Sequence, residues 1–338
     1  MKGPLVIPVF IAQEGCPHRC VYCDQGSITG VTRPTWSPAA LRRYAEGFLA
    51  GNRRPSVEIA FYGGSFTLLP EGRQALYLEA VQDLLHEGRV HSLRLSTRPD
   101  AVAEDNLRFL RQMGVKTIEL GAQSLSDRVL AASARGHSSE EIRRAAARLR
   151  DHEFRIGLQL MPGLPADDRV TFLTTVDGSI AVRPDFVRLY PTVVLAGTPL
   201  EHLYRRGAYR PLPLIDAVDW CKEAALKFRR AGISLVRMGL QASPSLERPG
   251  VIVAGPYHPA FGQLVKSALW FDRLSPELAK VSSVSPRPII HLHPSEVADA
   301  RGHGNGNITR WLGDFRFASL TTVADSEVPA GEFRLAAR

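Results

Sequence analysis

The stretch LVIPVFIAQEGCPHRCVYC occupies residues 5–23 and ends on three closely spaced thiols, Cys16, Cys20 and Cys23. Its first eight residues, 5–12, are apolar and too few to span a bilayer. They predict a buried strand that runs directly into the pattern CxxxCxxC. Three thiolates at this spacing can hold a 4Fe-4S cubane by three corners and leave the fourth iron without a protein ligand, open to an exogenous one. Iron–sulfur clusters usually take four thiolates and structural zinc four closed ligands. The only other cysteine, Cys221, lies far down the chain inside a predicted amphipathic helix, where it reads as a packing residue. His18 would complete a zinc site only in a cramped geometry, so zinc and incidental cysteines stand as alternatives to the cluster.

A secretory signal covering residues 5–12 would end at the cysteine motif and remove it, and three clustered thiols suit a reducing compartment. The expectation is therefore a cytoplasmic protein with no membrane segment. At 338 residues, 44% hydrophobic and 22% charged, the composition is that of a globular enzyme of one large domain with an appendage, or of two domains. The formal net charge of +8 invites a nucleic-acid partner, with arginine pairs at Arg42-Arg43, Arg53-Arg54, Arg143-Arg144, Arg205-Arg206 and Arg229-Arg230. Only six of the 42 basic residues are lysine, a bias that whole-genome composition also produces. Charge alone leaves the partner open.

Strand-length apolar runs at residues 5–12, 57–62, 92–96, 117–121, 155–161 and 186–190 alternate with helical patterns. Ser37-Pro38 is an N-cap followed by proline at the first helical position; Leu41, Tyr44, Ala45, Phe48 and Leu49 then share a face, and Gly51 ends it. Ser138 with Glu141 forms a capping box ahead of Ile142, Ala145, Ala146 and Leu149 at helical spacing. Strand–helix alternation implies a parallel sheet with right-handed crossovers. The fold class expected is α/β, a partial (β/α)6 TIM-like barrel over residues 1–240. Residues 242–259 and 282–288 are rich in breakers, so 241–338 reads as a loop-rich α+β appendage that meets substrate or a partner. Strands are expected at 289–292 and 317–323, with a helix and the Gly302-His303-Gly304-Asn305-Gly306-Asn307 loop between them, and residues 331–338 are expected to fray.

Functional groups of parallel barrels lie at the carboxyl ends of the strands, where the cysteine motif falls. After the second strand comes Tyr62-Gly63-Gly64-Ser65, whose glycines would let backbone approach a ligand. With this turn beside the cysteines, the sequence resembles the radical S-adenosylmethionine (SAM) superfamily. Thr97-Arg98-Pro99-Asp100, Gly121-Ala122-Gln123-Ser124, Arg135-Gly136-His137-Ser138, Met161-Pro162-Gly163-Leu164-Pro165 and Tyr190-Pro191-Thr192 with Gly197-Thr198 occur in the order seen in the radical SAM domain of the Elongator catalytic subunit.

The resemblance covers about residues 5–240. It implies a cluster on Cys16, Cys20 and Cys23 and SAM chelating the open iron. It places Tyr22 by the adenine, and Tyr62, Gly63, Gly64 and Ser65 at the methionyl amino group. Arg98 would reach the carboxylate or ribose and Gln123 the ribose end, with Gln159, Met161 and Pro162 on the adenine side. Gln123 and Gln159 also read as barrel-interior polar residues, Arg98 as a surface residue, and Arg135-Gly136-His137 as a helix stop. The resemblance further implies reductive SAM cleavage to a 5′-deoxyadenosyl radical, hydrogen abstraction from substrate, and an external electron donor of flavodoxin or ferredoxin type.

The Elongator subunit carries a basic RNA-binding stretch before this domain and an acetyltransferase after it, and neither is expected in these 338 residues. Three readings follow. One is an Elongator-like radical enzyme acting on RNA (tRNA) or another substrate, with Arg237, Gln241, Tyr257, His258 and His303 as candidate contacts. The second is a relative of the oxygen-independent coproporphyrinogen oxidases. The third is a non-catalytic metal-containing scaffold that binds RNA. No catalytic residue is singled out.

Overall fold

The computed structural model describes residues 4–11, 13–17, 19–30 and 36–336. Ala12, His18 and Arg338, which figure in the expectations above, lie outside them. The chain divides into two compact units, one of residues 1–213 and 224–257 and the other of residues 214–223 and 258–338.

The first unit is built on a parallel sheet whose strands are β1 (Leu5–Phe10), β2 (Val57–Tyr62), β3 (Ser92–Thr97), β4 (Val115–Gln123), β5 (Arg155–Leu160), β6 (Phe186–Leu189) and β8 (Ser234–Met238). They pair in the order β1-β2-β3-β4-β5-β6-β8 and curl into an open barrel. Every pairing is parallel, so the strand ends that carry the sequence motifs open on one rim. A short antiparallel pair, β7 (Val194–Leu195) with β9 (Ile252–Ala254), completes the unit's described strands.

The α/β partial barrel is as expected, with one strand more than the six predicted. The seventh, β8, is a five-residue edge strand with no fully buried position, so it lacks the apolar run by which the other strands announce themselves. Local signals elsewhere hold to the residue. The helix Pro38–Leu49 begins on the Ser37 side chain, which accepts from the Ala40 N–H. The capping box of Ser138 and Glu141 is formed, and Ile142, Ala145, Ala146 and Leu149 are buried beneath it.

The second unit packs the helix Phe261–Ser282 against the sheet β11-β10-β12, where β10 is Ile289–Leu292, β11 Thr321–Ala324 and β12 Phe333–Ala336. Its core is closed and aromatic. Phe271 stacks on Trp311 at 5.5 Å with rings nearly parallel, and Trp311 Nε1 donates to Ser275 Oγ at 2.8 Å. Two expectations are corrected here. The strand predicted from residue 317 starts only at Thr321, because Phe317 is buried in this core. Within the tail expected to fray, Phe333–Ala336 pairs antiparallel with β10, a partner distant in sequence that no local pattern announces. The glycine-rich loop wraps Asn307, whose side-chain amide donates to the Ser267 and Ala300 carbonyls. A Cβ on Gly302 would come within 2.8 Å of the Asn307 nitrogen.

Candidate functional site

The rim of the open barrel encloses a cavity of about 710 Å³ lined from every strand of the seven-stranded sheet or the loop that follows it. Cys16, Cys20 and Cys23 line it together with Tyr22, and the turn Tyr62, Gly63, Gly64 and Ser65 borders them. Arg98, Gln123, Gln159 and Met161 are on the same wall. Pro162 is not; it is buried behind the wall, where its carbonyl accepts the Thr192 N–H at 3.0 Å. Of the outlying candidates, Arg237 and Gln241 line the cavity, while Tyr257 donates to Glu247 at 2.9 Å outside it. His258 and His303 stack edge to face in the second unit.

The cysteine loop and the glycine turn are interlocked. Gln13 N–H donates to the Gly63 carbonyl at 2.8 Å and Ser65 N–H to the Glu14 carbonyl at 3.0 Å. A Cβ on Gly64 would sit 2.4 Å from the Glu14 carbonyl oxygen, and one on Gly15 would sit 2.3 Å from that of Ser65. Real Cβ atoms do not approach so closely, so both glycines are required by loop-on-loop docking. At Gly64 the backbone that approaches is the cysteine loop itself, a role that a single strand read alone does not reveal. Glu14 is held in turn by the Tyr77 hydroxyl at 3.0 Å and Arg73 at 3.4 Å. Cys16 Sγ lies 3.4 Å from Ser65 Oγ across the junction.

Arg135 is the site residue that sequence reasoning missed. It was read as part of a helix stop, yet it is buried, donates to Cys20 Sγ at 3.2 Å and to the Gly121 carbonyl at 2.5 Å. Gly121 makes room for it, since a Cβ there would be 2.6 Å from the guanidinium. The available signal was that Arg135-Gly136-His137-Ser138 and Gly121-Ala122-Gln123-Ser124 are both motif segments; that they meet shows only once β4 and the 133–137 turn are brought together. His137 sits beside it; burial first, then the Arg135 and Arg98 charges, push its imidazole down to about 4. Arg98 is 2% exposed and its guanidinium is engaged by Asp100, at 2.9 and 2.8 Å, and by the Arg135 carbonyl. Burial raises the Asp100 carboxyl, but the Arg98 hydrogen bonds and charge outweigh it and hold the group below the usual carboxylate range.

Below the rim, the barrel interior is ionic. Glu119 is fully buried on β4 and accepts from the Tyr62 hydroxyl at 2.9 Å, Gln159 Nε2 at 3.2 Å and Arg94 Nη1 at 3.2 Å, and it pairs with Arg188 Nε at 2.7 Å. Arg94 also pairs with Glu58. Two carboxylates thus answer two guanidiniums, the condition under which buried charge is tolerated. Gln159 is a barrel-interior polar residue, as one of its readings had it, and still borders the cavity.

Cys16, Cys20 and Cys23 bring to one cavity the thiol donors that iron–sulfur clusters use. Burial, with the neighbouring Cys20 and Cys16 charges next, pushes the Cys23 thiol up to about 12. The Cys23 thiol therefore gives up its proton where a bound cation displaces it. Among the described residues no three His, Cys, Asp or Glu side chains converge as a single-ion site requires. A cubane instead takes each thiolate on a different iron and needs them spread around it. Gln123 adds an unsatisfied acceptor: its Oε1 is buried on the cavity wall with no hydrogen-bond partner among the described residues. It stands at φ +63°, in the left-handed region, where β4 slips register against β5. Strain of this kind persists where the surroundings enforce it, and it gathers at ligand sites.

The Radical SAM superfamily model matches residues 10–178, and that of the Radical_SAM C-terminal domain matches residues 184–270. The chain belongs to the radical SAM superfamily. Radical SAM membership implies SAM and 4Fe-4S binding in general. The tRNA uridine(34) acetyltransferase of Methanocaldococcus jannaschii is 25% identical over 259 residues, covering 65% of this chain and 48% of its own. Elongator complex protein 3 of Mus musculus is 29% identical over 266 residues, covering 64% and 48%. The chain thus spans about half the length of these curated relatives. Among solved structures, the archaeal Methanocaldococcus infernus Elp3 with an N-terminal deletion aligns at TM-score 0.58 and 21% identity, covering 82% of this chain and 64% of that one, which speaks for the radical SAM fold. No helix among the described residues is long and apolar enough to cross a membrane.

Proposed function

We propose that this protein is a radical SAM iron–sulfur enzyme that generates a 5′-deoxyadenosyl radical and uses it to abstract hydrogen from an RNA substrate, tRNA being the first to test. The observation that carries the reading is the shared wall of Cys16, Cys20 and Cys23 with the interlocked Gly63-Gly64-Ser65 turn on one cavity. When bound there, the cluster supplies an electron for reductive cleavage of SAM to methionine and the radical, chemistry that belongs to the cofactors.

The chain's own residues bind, orient and screen. Cys16, Cys20 and Cys23 are the thiolates for the cluster, and Arg135 sets a positive charge against Cys20. The turn 62–65 and Gln123 offer backbone and side-chain polar groups to the amino acid and ribose of SAM. Tyr22, Gln159 and Met161 line the wall for its base. Arg98 serves as a strut that fixes Arg135 from behind through its carbonyl. The Glu119 network closes the barrel beneath the cavity, which limits water at the reacting centre. The printed names of the relatives that act on tRNA uridine, and the net charge of +8, support RNA as the substrate class. Residues 241–338 are proposed to meet the substrate or a partner, and a flavodoxin- or ferredoxin-type protein to deliver the electron.

The test is anaerobic reconstitution with iron and sulfide, followed by SAM and dithionite, with 5′-deoxyadenosine quantified with and without bulk tRNA. Production is expected, and tRNA should increase it. An iron-loaded protein that makes none under either condition overturns the catalytic reading.

A further inference from the structure

Arg188 on β6 and Arg237 on β8 are Cα partners across adjacent strands, and both line the cavity. Like charges directly opposite one another destabilise a sheet unless each is compensated. Arg188 is compensated, by Glu119 at 2.7 Å. Arg237 is not: among the described residues it makes no ion pair, and its hydrogen bond is a long one, 3.4 Å, to the Gly239 carbonyl. The buried arginines of the cavity wall differ from the half-buried Arg237 in this respect, since Arg98 meets Asp100 and Arg135 meets Cys20 Sγ.

The orientation of Arg237 does not follow from simple alternation. Val187 faces Leu235, and the next pair is Arg188 with Arg237, so Val236 is an extra residue in β8. In an unbroken ladder Val236 would stand opposite Arg188, and Arg237 would point to the other face. The irregularity leaves Val236 53% exposed and turns Arg237 into the cavity, the re-aiming for which bulges beside active sites are known. In strand order, β8 is the edge opposite β1, which the cysteine loop follows. Gln241, shortly after the strand, also lines the cavity and adds an amide.

We infer that Arg237 is a specificity-determining anchor for an oxyanion of the substrate, a backbone phosphate in the RNA reading proposed above, on which this inference rests. A planar guanidinium can take two oxygens of such a group at once, which a lysine ammonium cannot do.

The test compares reconstituted wild type with Arg237→Gln, Arg237→Lys and, as a control, Arg230→Gln on the exposed end of the helix Leu214–Arg230. Binding of fluorescein-labelled bulk tRNA is followed by anisotropy across a potassium chloride series. Arg237→Gln should weaken binding on the order of tenfold and flatten the slope of log affinity against log salt by about 0.7–0.9. Arg237→Lys should keep the slope while losing part of the affinity, and Arg230→Gln should bind as wild type does. Identical affinities and slopes for wild type and Arg237→Gln overturn the inference. Coproporphyrin III, a tetracarboxylate, is titrated in parallel. If its binding alone weakens in Arg237→Gln, the oxyanion anchor stands with a carboxylate as its ligand and the phosphate assignment is overturned. Should Arg237→Gln not fold, as judged by circular dichroism, the lysine variant carries the test through lower affinity at unchanged slope. Wild-type 5′-deoxyadenosine production without substrate reports on the radical reading separately, so either can fail while the other stands.

Discussion

The floor and the rim of the barrel are both polar, but they are polar in different ways. On the floor, Glu58, Arg94, Glu119 and Arg188 answer one another, and Tyr62 and Gln159 complete the set. On the rim, the side-chain Oε1 of Gln123 has no hydrogen-bond partner and Arg237 no ion pair among the described residues, and both line the cavity with Cys16, Cys20 and Cys23. Buried polar groups are ordinarily satisfied, so the floor explains itself as structure, and the rim makes sense as half of an interaction. The difference separates residues that hold the fold from residues that wait for ligands, although both kinds border one cavity.

The contrast is broken most severely at the cysteines. Cys20→Ala should abolish iron loading and 5′-deoxyadenosine production while leaving the circular dichroism spectrum near that of wild type; an active Cys20→Ala protein would sink the cluster assignment. On the floor, Glu119→Ala should lower stability by about 3–5 kcal/mol, because it strands buried guanidiniums. Urea unfolding monitored by fluorescence measures this, and a loss below about 1 kcal/mol would show the network to be solvated.

Behind the rim, His137 gives a pH signature. Its folded-state value, about 4, lies below the ordinary histidine value, so it is neutral when folded. Its contribution is fully present above about pH 6.5 and is lost as pH falls toward 4, at about 1.4 kcal/mol per pH unit. His137→Gln should flatten stability against pH over that window relative to wild type; parallel curves would mean that the imidazole is not held neutral. The smallest effect is expected at Gln123. Gln123→Ala should weaken SAM binding by about 1–2 kcal/mol with little change in melting temperature, measured by calorimetry on the reconstituted protein. A drop in stability with unchanged affinity would move Gln123 from the rim class to the floor class.

Legibility followed the range of the physics. Strands β2 and β3 and the capped helices could be read because apolar runs and caps act over a few residues. Strand β12 could not, since Phe333–Ala336 is a strand only by pairing with β10. Arg98 was legible as a motif residue but not as a strut, because its engagement with the Arg135 carbonyl joins two separate turns. Arg135 was legible as part of the segment Arg135-Gly136-His137-Ser138 but not as a partner of Cys20, because that contact joins turns far apart in sequence. The Gly63-Gly64-Ser65 turn was seen, yet the reason for Gly64 is a carbonyl of the cysteine loop 2.4 Å from where its Cβ would be.

The sequence by itself determined the alternation of strands and helices, the placement of CxxxCxxC after the first strand, and the family to which these residues belong. Those features depend on spacing, periodicity and chemistry along the chain. Only the tertiary structure decided which polar groups satisfy one another and which are left over. Such pairing is fixed by through-space distances between strands far apart in sequence, as when one extra residue in β8 turns Arg237 toward Arg188 and the cavity.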